Sequence, residues 1–420
     1  MQCLCEGGLH YDAPSKGDYG ICRMGLMVPE SIELFVGPSA CGRHGALGAI
    51  KNGYKDRIFY LYLDQSDIVN GYDHLIGDSI ERILKKLEKK PRAIIMIFTC
   101  IDDLIGTDHA ALKDELTDRF PGIVFQSSHM NPIKTNTKEP PALAIQRDVY
   151  RTIGTYLKNN GKELHDIPKD KCINILGAYE PLPETNELRI IATLRHAADY
   201  DSFDDFTEMS KSRLNLVLNP LGKLAAQEME KTFDIPYIEV PVTYDLDEIA
   251  NDYRKIESAI GEKISSGPDA YRKEAEHAIR KALNHIGNIP VIVDSSATSQ
   301  PFGMAMSLLK YGFNVIRVEA EAVTESDKPH MEWLQEHHPE VEFYRPDAHS
   351  AVLFDHRLKE SLAIGIQAAY MADSMYIADI FSDLQMFGYD GVISLMQRME
   401  EAFNTPRNLR QLINEYGLVI

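Results

Sequence analysis

The stretch Arg92–Asp108, RAIIMIFTCIDDLIGTD, decides how the chain is read. Six apolar residues in succession, Ala93 to Phe98, leave no polar face. That is the pattern of a strand buried on both sides, as in a parallel sheet. The run stops at Thr99-Cys100, and paired acids and a glycine follow. Open α/β sheets keep their chemistry at the C-terminal ends of strands, so a thiol placed there is a candidate for function.

Working outward, the same pattern of apolar strand, turn and amphipathic helix recurs in three blocks. The first holds SIELFVGPSACGRHGALGAIKNG, DRIFYLYL and a helix expected from about Gly71 to Lys90, with Leu75, Ile76, Ile80, Ile83, Leu84 and Leu87 on one face. PGIVFQSS reads as a further strand and ALAIQRDVYRTIGTYLKNN as the helix that closes the block. The polar GKELHDIPKDK reads as a linker. The second block runs through CINILGAYEP, a helix around Leu188 to Ala197, RLNLVLNP, the helix LGKLAAQEMEKTF and the strand IPYIEV. Charged helices near Asp247–Ile260 and Asp269–Ile286 lead to the third, IPVIVDSSATSQPFGMAMSLLKYGFNVIRVEA. The chain ends in the helices GYDGVISLMQRMEEAF and NLRQLINEYG. This alternation predicts an α/β protein built of doubly wound parallel-sheet domains. The expected boundaries are 1–165, 166–287 and 288–385, with C-terminal helices over 386–420 that pack back on the first domain.

A chain of 420 residues exceeds one compact core, and its 44% apolar and 25% charged fractions are those of a globular protein. No apolar run approaches the ~20 residues that span a bilayer. The opening MQCLCEGGLHYDAPSKGDYG has neither a basic start nor an apolar core, so a cytoplasmic location is expected. The net charge of −19 argues against nucleic acid or anionic membrane as a partner, and suits solubility or docking to a basic protein surface. Six cysteines in such a chain are not expected to form disulfides; they are buried apolar residues, nucleophiles or metal ligands.

FVGPSACGRHGALGAI superficially suits dinucleotide binding, but Gly37, Gly42, Gly45 and Gly48 do not make G-x-G-x-x-G, and Pro38 occupies the turn. What the turn does hold is Cys41, just past a strand end, with Cys22 upstream. A parallel sheet brings Cys22, Cys41 and Cys100 together along one edge. Thiolates are soft ligands that match iron–sulfur clusters or zinc. Glycine beside Cys41 lets backbone approach such a centre, and N–H groups of the following helices favour its negative charge. There is no C-x-x-C pair, and buried or incidental cysteines are the alternative reading.

GICRMGLMVPESIELFVGPSACGRHG resembles the N-terminal signature of nitrogenase component 1 proteins: a cysteine, a strand ending in Gly-Pro, and a second cysteine followed by glycine. SDIVNGYDHL resembles their Asp-Ile-Val-Phe-Gly-Gly segment, and FTCIDDLIGTD their Thr-Cys-Pro-x-x-Leu-Ile-Gly-Asp-Asp, which holds a third cluster cysteine. RLNLVLNP with MEKTFDIPYIEV is similar to the middle domain, and FGYDGV to the C-terminal one. The resemblance implies three Rossmann-like domains around a central cleft, with Cys22, Cys41 and Cys100 ligating a cluster at a subunit interface. That cluster would be [4Fe–4S] or a larger P-cluster-like centre. Three thiols leave a [4Fe–4S] cluster one ligand short; a partner chain, a carboxylate or the tail pair Cys3 and Cys5 are the sources open. Cys172 begins a strand and reads as core.

The family's nitrogenases hold an iron–molybdenum-type cofactor by a cysteine and a histidine, and here those positions are Asn219 and Phe387. An amide and a phenyl ring do not replace a thiolate and an imidazole on iron, so no such cofactor and no dinitrogen fixation are expected. The resemblance then implies a cluster-bearing subunit of a two-component reductase. An ATP-dependent, iron-protein-like iron–sulfur reductase would feed it electrons, and a homologous second subunit or a second copy would complete it. An assembly scaffold and a tetrapyrrole reductase-like subunit are the alternatives within the family. Candidate proton donors are His129 in QSSHMNP and Arg43 and His44 beside Cys41. His330, His337 and His338 read as a solvated helix end, Ser295 and Ser296 as an N-cap, and Met371, Met375, Met386, Met396 and Met399 as core filler.

Overall fold

The computed structural model describes residues 9, 11, 20–39, 41–42, 49–50, 52–131, 139–264, 267–353 and 357–416, with backbone alone at 20–22, 267 and 413–416. The thirteen strands among the described residues form three all-parallel sheets. The first contains β1 (Ser31–Gly37), β2 (Ile58–Tyr62), β3 (Ala93–Thr99) and β4 (Val124–Met130) in the order β2-β1-β3-β4. β5 (Ile173–Leu176), β6 (Leu194–Arg195), β7 (Leu214–Val217) and β8 (Tyr237–Glu239) pair in the order β6-β5-β7-β8. β9 (Val291–Asp294), β10 (Val315–Glu319), β11 (Glu342–Tyr344), β12 (Leu362–Ile364) and β13 (Tyr376–Ala378) pair in the order β11-β10-β9-β12-β13.

β3 is central, with every residue buried, because helices cover both faces of its sheet. Ile94, Met96 and Phe98 point to one face and pack with Ile76, Ile80, Leu112 and Leu116. Ile95 and Ile97 point to the other, against Met24, Ile145, Val149 and Ile153. The alternation is the period of two of a strand, and each such side chain contributes about 1.5–3 kcal/mol by leaving water.

The chain divides into two compact units: one gathers Leu182–Ala192 and Val240–Ile420, the other Asp18–Pro181 and Thr193–Glu239. The first and second sheets thus lie in the same unit, and the Pro141–Asn159 helix packs on both β4 and the Lys223–Phe233 helix. Within its own unit, the Gly388–Asn404 helix packs on Gly267–Ile286 and β13. Its N-terminus is held by buried Glu187, whose carboxylate accepts from the N–H groups of Tyr389 (2.5 Å) and Asp390 (3.1 Å) and from the Tyr253 hydroxyl (2.8 Å).

Two expected helices differ. That placed over Gly71–Lys90 covers only Asp73–Leu84, and a separate short helix, Gln65–Asn70, precedes it, opened by the Asp64 capping box and ended where Gly71 takes φ +86°. That placed around Leu188–Ala197 covers only Glu187–Ile191; the chain then turns extended and pairs with β5 as β6. Among the described residues, no helix is long and apolar enough to cross a membrane.

Candidate functional site

β1 and β3 run side by side in register, Val36 opposite Phe98, and both end at the same sheet edge. Beyond them Gly37 meets Thr99 so closely that a Cβ on Gly37 would lie 2.4 Å from the Thr99 methyl carbon. Glycine there lets two strand ends converge that side chains would hold apart. The Cys41 N–H donates to Pro38 O at 3.1 Å, closing a turn after β1. Tyr60 lies against that turn: its hydroxyl donates to Pro38 O at 2.7 Å, its ring stacks on Phe35 at 5.0 Å, and a Cβ on Gly42 would run into it. Thr99 is extended, and Cys100 opens the Cys100–Ile105 helix.

Cys41 and Cys100, 59 residues apart along the chain, thus each follow one of two neighbouring strand ends, both half-buried and neither in a disulfide. Burial pushes the Cys41 thiol up, and a negative charge on Cys100 pushes it further. Two thiolates brought near each other repel unless a cation lies between them. Two thiols past neighbouring strand ends fit a thiolate-ligated metal centre. Cys22 lies by its backbone in the Gly20–Leu26 helix that leads into β1, but its side chain is outside the described residues. Cys3, Cys5, Arg43 and His44 also lie outside them.

On the other side of β3 a second cluster forms. His129, opposite Phe98 on β4, has Nδ1 3.6 Å from both Asp102 Oδ2 and Asp103 Oδ1. His109, first residue of the His109–Arg119 helix, places Nε2 2.6 Å from Asp102 Oδ2. The Tyr72 hydroxyl donates to Asp102 Oδ1, and Asn131 Nδ2 donates to Asp103 Oδ2 at 2.8 Å. Asp102 is 3% exposed; burial opposes its charge, but the His109 and Tyr72 hydrogen bonds prevail and hold the carboxyl below its ordinary range. Burial and then the Asp102 bond push the Tyr72 phenol up. The two imidazoles line a cleft of about 520 Å³ with Lys113, Gln126, Ser127 and Arg147. Tyr72, Asp102 and His109 escape the sequence reading because Gly106, in the left-handed region, breaks the chain between Asp102 and His109; only the fold folds one back on the other.

The remaining candidates are placed as follows. Cys172 is half-buried at the start of β5, its N–H donating to Asp170 Oδ1 at 2.8 Å. His330 Nε2 lies 3.2 Å from Glu248 Oε1, His337 stacks on Trp333, and His338 pairs with Glu340; these three do not converge. Ser296 donates from N–H and hydroxyl to Asp294 at the end of β9, and the Ser295 N–H donates to Glu319 O. Met371, Met386, Met396 and Met399 are buried, whereas Met375 is 39% exposed. Asn219 Oδ1 accepts from the Leu221 N–H at 3.0 Å, and the buried Phe387 precedes the Gly388–Asn404 helix, its carbonyl accepting from Asn186.

Comparison with known proteins agrees with this architecture. The solved structure of "Nitrogenase Cp1 at pH 6.5" superposes with a TM-score of 0.73 at 12% identity, covering 95% of this chain and 94% of that one. "Nitrogenase Cp1 at pH 5" gives a TM-score of 0.60 at 16% identity, covering 92% and 88%. At these identities the likeness is one of fold. No curated protein sequence matches. The model of the family described as "Nitrogenase component 1 type Oxidoreductase" matches residues 19–404. With the match extending over nearly its whole length, the chain belongs to the nitrogenase component 1 type oxidoreductase family.

Proposed function

We propose that the chain is the iron–sulfur-bearing subunit of a nitrogenase-like two-component reductase. It takes electrons from an ATP-dependent, iron-protein-like reductase and passes them to a substrate other than dinitrogen. The observation that supports the reading is the placement of Cys41 and Cys100 just past the adjacent, in-register ends of β1 and β3. Cys22, on the helix that leads into β1, is the third proposed ligand. When bound, an iron–sulfur cluster supplies reversible one-electron transfer.

This chain's own residues do the rest. Gly37 makes room for the Thr99 side chain and Gly42 for the Tyr60 ring, so that the end of β3 and the turn after β1 pack closely. Ligation would deprotonate the thiols, so the proton that burial and the charge of Cys100 hold on Cys41 would be released on loading. Three thiols leave a four-iron centre one ligand short, which supports an assembly with a homologous subunit or a second copy. Asn219 stands where the family's large cofactor has its thiolate and already accepts a backbone hydrogen bond, and Phe387 offers no donor atom. Both support a reductase without the iron–molybdenum-type cofactor.

The test is anaerobic purification followed by iron and acid-labile sulfide analysis, then mixing with a reduced iron-protein-type donor and ATP. Bound iron and sulfide with ATP-dependent bleaching of the visible absorbance is the expected result. A colourless, iron-free chain would contradict cluster binding, and a coloured chain that never bleaches would contradict the electron-transfer role.

A further inference from the structure

The helical turn that opens with Cys100 carries Asp102 toward β4, about 200° around the helix from Cys100. There Asp102 Oδ2 has His109 Nε2 at 2.6 Å and His129 Nδ1 at 3.6 Å, and one ligand atom from each residue lies within 4.8 Å of the others. We propose that Asp102, His109 and His129 bind a divalent transition-metal ion of the zinc class, at a site separate from the thiols.

Zinc bonds to nitrogen and oxygen of about 2.0–2.2 Å place tetrahedral ligand atoms roughly 3.3–3.5 Å apart. His129 already stands near that distance from Asp102, so only the His109–Asp102 pair has to open, by less than ~1 Å. Two imidazoles and one carboxylate are the donors of open zinc sites and of non-haem ferrous sites, whereas magnesium and calcium prefer an all-oxygen set. The donors are preorganised. The Tyr72 hydroxyl holds the other carboxylate oxygen, and Thr107 Oγ1 lies 3.3 Å from that hydroxyl. His109 packs edge-on against Phe98 at 4.5 Å, and the two imidazoles meet edge-to-face at 4.5 Å. Such outer partners fix ligand orientation in metal sites. His109 and His129 both line the cleft of about 520 Å³, so an exchangeable ligand reaches the fourth position from there, with Lys113 on its wall. The site does not depend on the cluster reading, since none of its donors is a thiol.

The experiment uses the full chain carrying Cys41→Ser and Cys100→Ser, stripped with chelator and dialysed against Zn²⁺ or Co²⁺ alone. The expected result is one zinc per chain and a cobalt spectrum with visible d–d bands but no thiolate charge transfer. His109→Asn and His129→Asn should each weaken binding at least tenfold, and Tyr72→Phe by roughly 10–100-fold as an outer partner. Should a histidine variant fail to fold, Tyr72→Phe and the cobalt spectrum of the parent carry the test. No uptake at micromolar metal, uptake unaffected by these variants, or cobalt bound with thiolate charge transfer would each overturn the site. Failure of the cluster reading would leave these results unchanged.

Discussion

At Cys100 the chain passes from a buried strand to a helix within one residue, just past the end of β3 that lies beside the end of β1. Replacing either by serine keeps size but removes the soft donor. Cys41→Ser and Cys100→Ser are each expected to lower bound iron at least roughly tenfold, the lesser loss seen even for outer-partner changes at metal sites, as read by iron analysis of anaerobically prepared protein. Wild-type iron content in both variants would contradict the assignment. Another residue-scale consequence concerns Glu319, at the end of β10 opposite Asp294 on β9. Burial, and then the Asp294 charge, push its carboxyl up to about 8. An unfolded glutamate releases its proton near ~4.3, so between that pH and about 8 the folded chain holds a proton that the unfolded chain has lost. Stability then falls as pH rises through this window, by on the order of 1.4 kcal/mol per pH unit at most. Glu319→Gln should flatten that decline in thermal unfolding between pH 5 and 8; an unchanged slope would show that Glu319 is not the group responsible. The strand-end positions of Cys41 and Cys100 were legible in sequence because each follows an apolar run that ends abruptly. Glu319 was not, since a single acid closing a strand carries no periodic signal.

Elements set the approach of those residues. The β1–β3 contact at Gly37 and Thr99 has no room for a methyl group. Gly37→Ala is expected to destabilise the chain by about 1–3 kcal/mol, the range for overpacking, in denaturant unfolding, and to lower iron content by separating the strand ends. Equal stability would show that Thr99 yields without cost. The long apolar strands and amphipathic helices were readable because several turns of period 2 or 3.6 speak together. The three-residue strands β11, β12 and β13 were not: each is too short for a period, and only pairing within the sheet makes them strands. Likewise, Leu194 and Arg195 look helical beside LRIIA, until the pairing with β5 decides otherwise.

Across the whole molecule, 63 acids against 44 lysines and arginines leave a charge of −19. Docking to a basic face of an electron donor would draw on that field. Raising ionic strength from ~0.01 to ~0.15 M shortens the screening length from about 30 to about 8 Å, so association with such a donor should slow roughly tenfold or more in stopped-flow measurements. A rate indifferent to salt would remove charge from the docking account. The family is evident from the order of its motifs along the sequence, while the division into two compact units rests on contacts, such as those of the Pro141–Asn159 helix, between segments distant in the chain. The central claim is that thiols from separate strand ends share one inorganic centre. Its most direct measurement is anaerobic iron and sulfide analysis with visible spectroscopy on the wild-type chain beside the Cys41→Ser/Cys100→Ser double variant. The account predicts matched iron and sulfide with broad visible absorbance in the first, and loss of both in the second. Iron-free wild type, or an unaltered spectrum in the double variant, would contradict it.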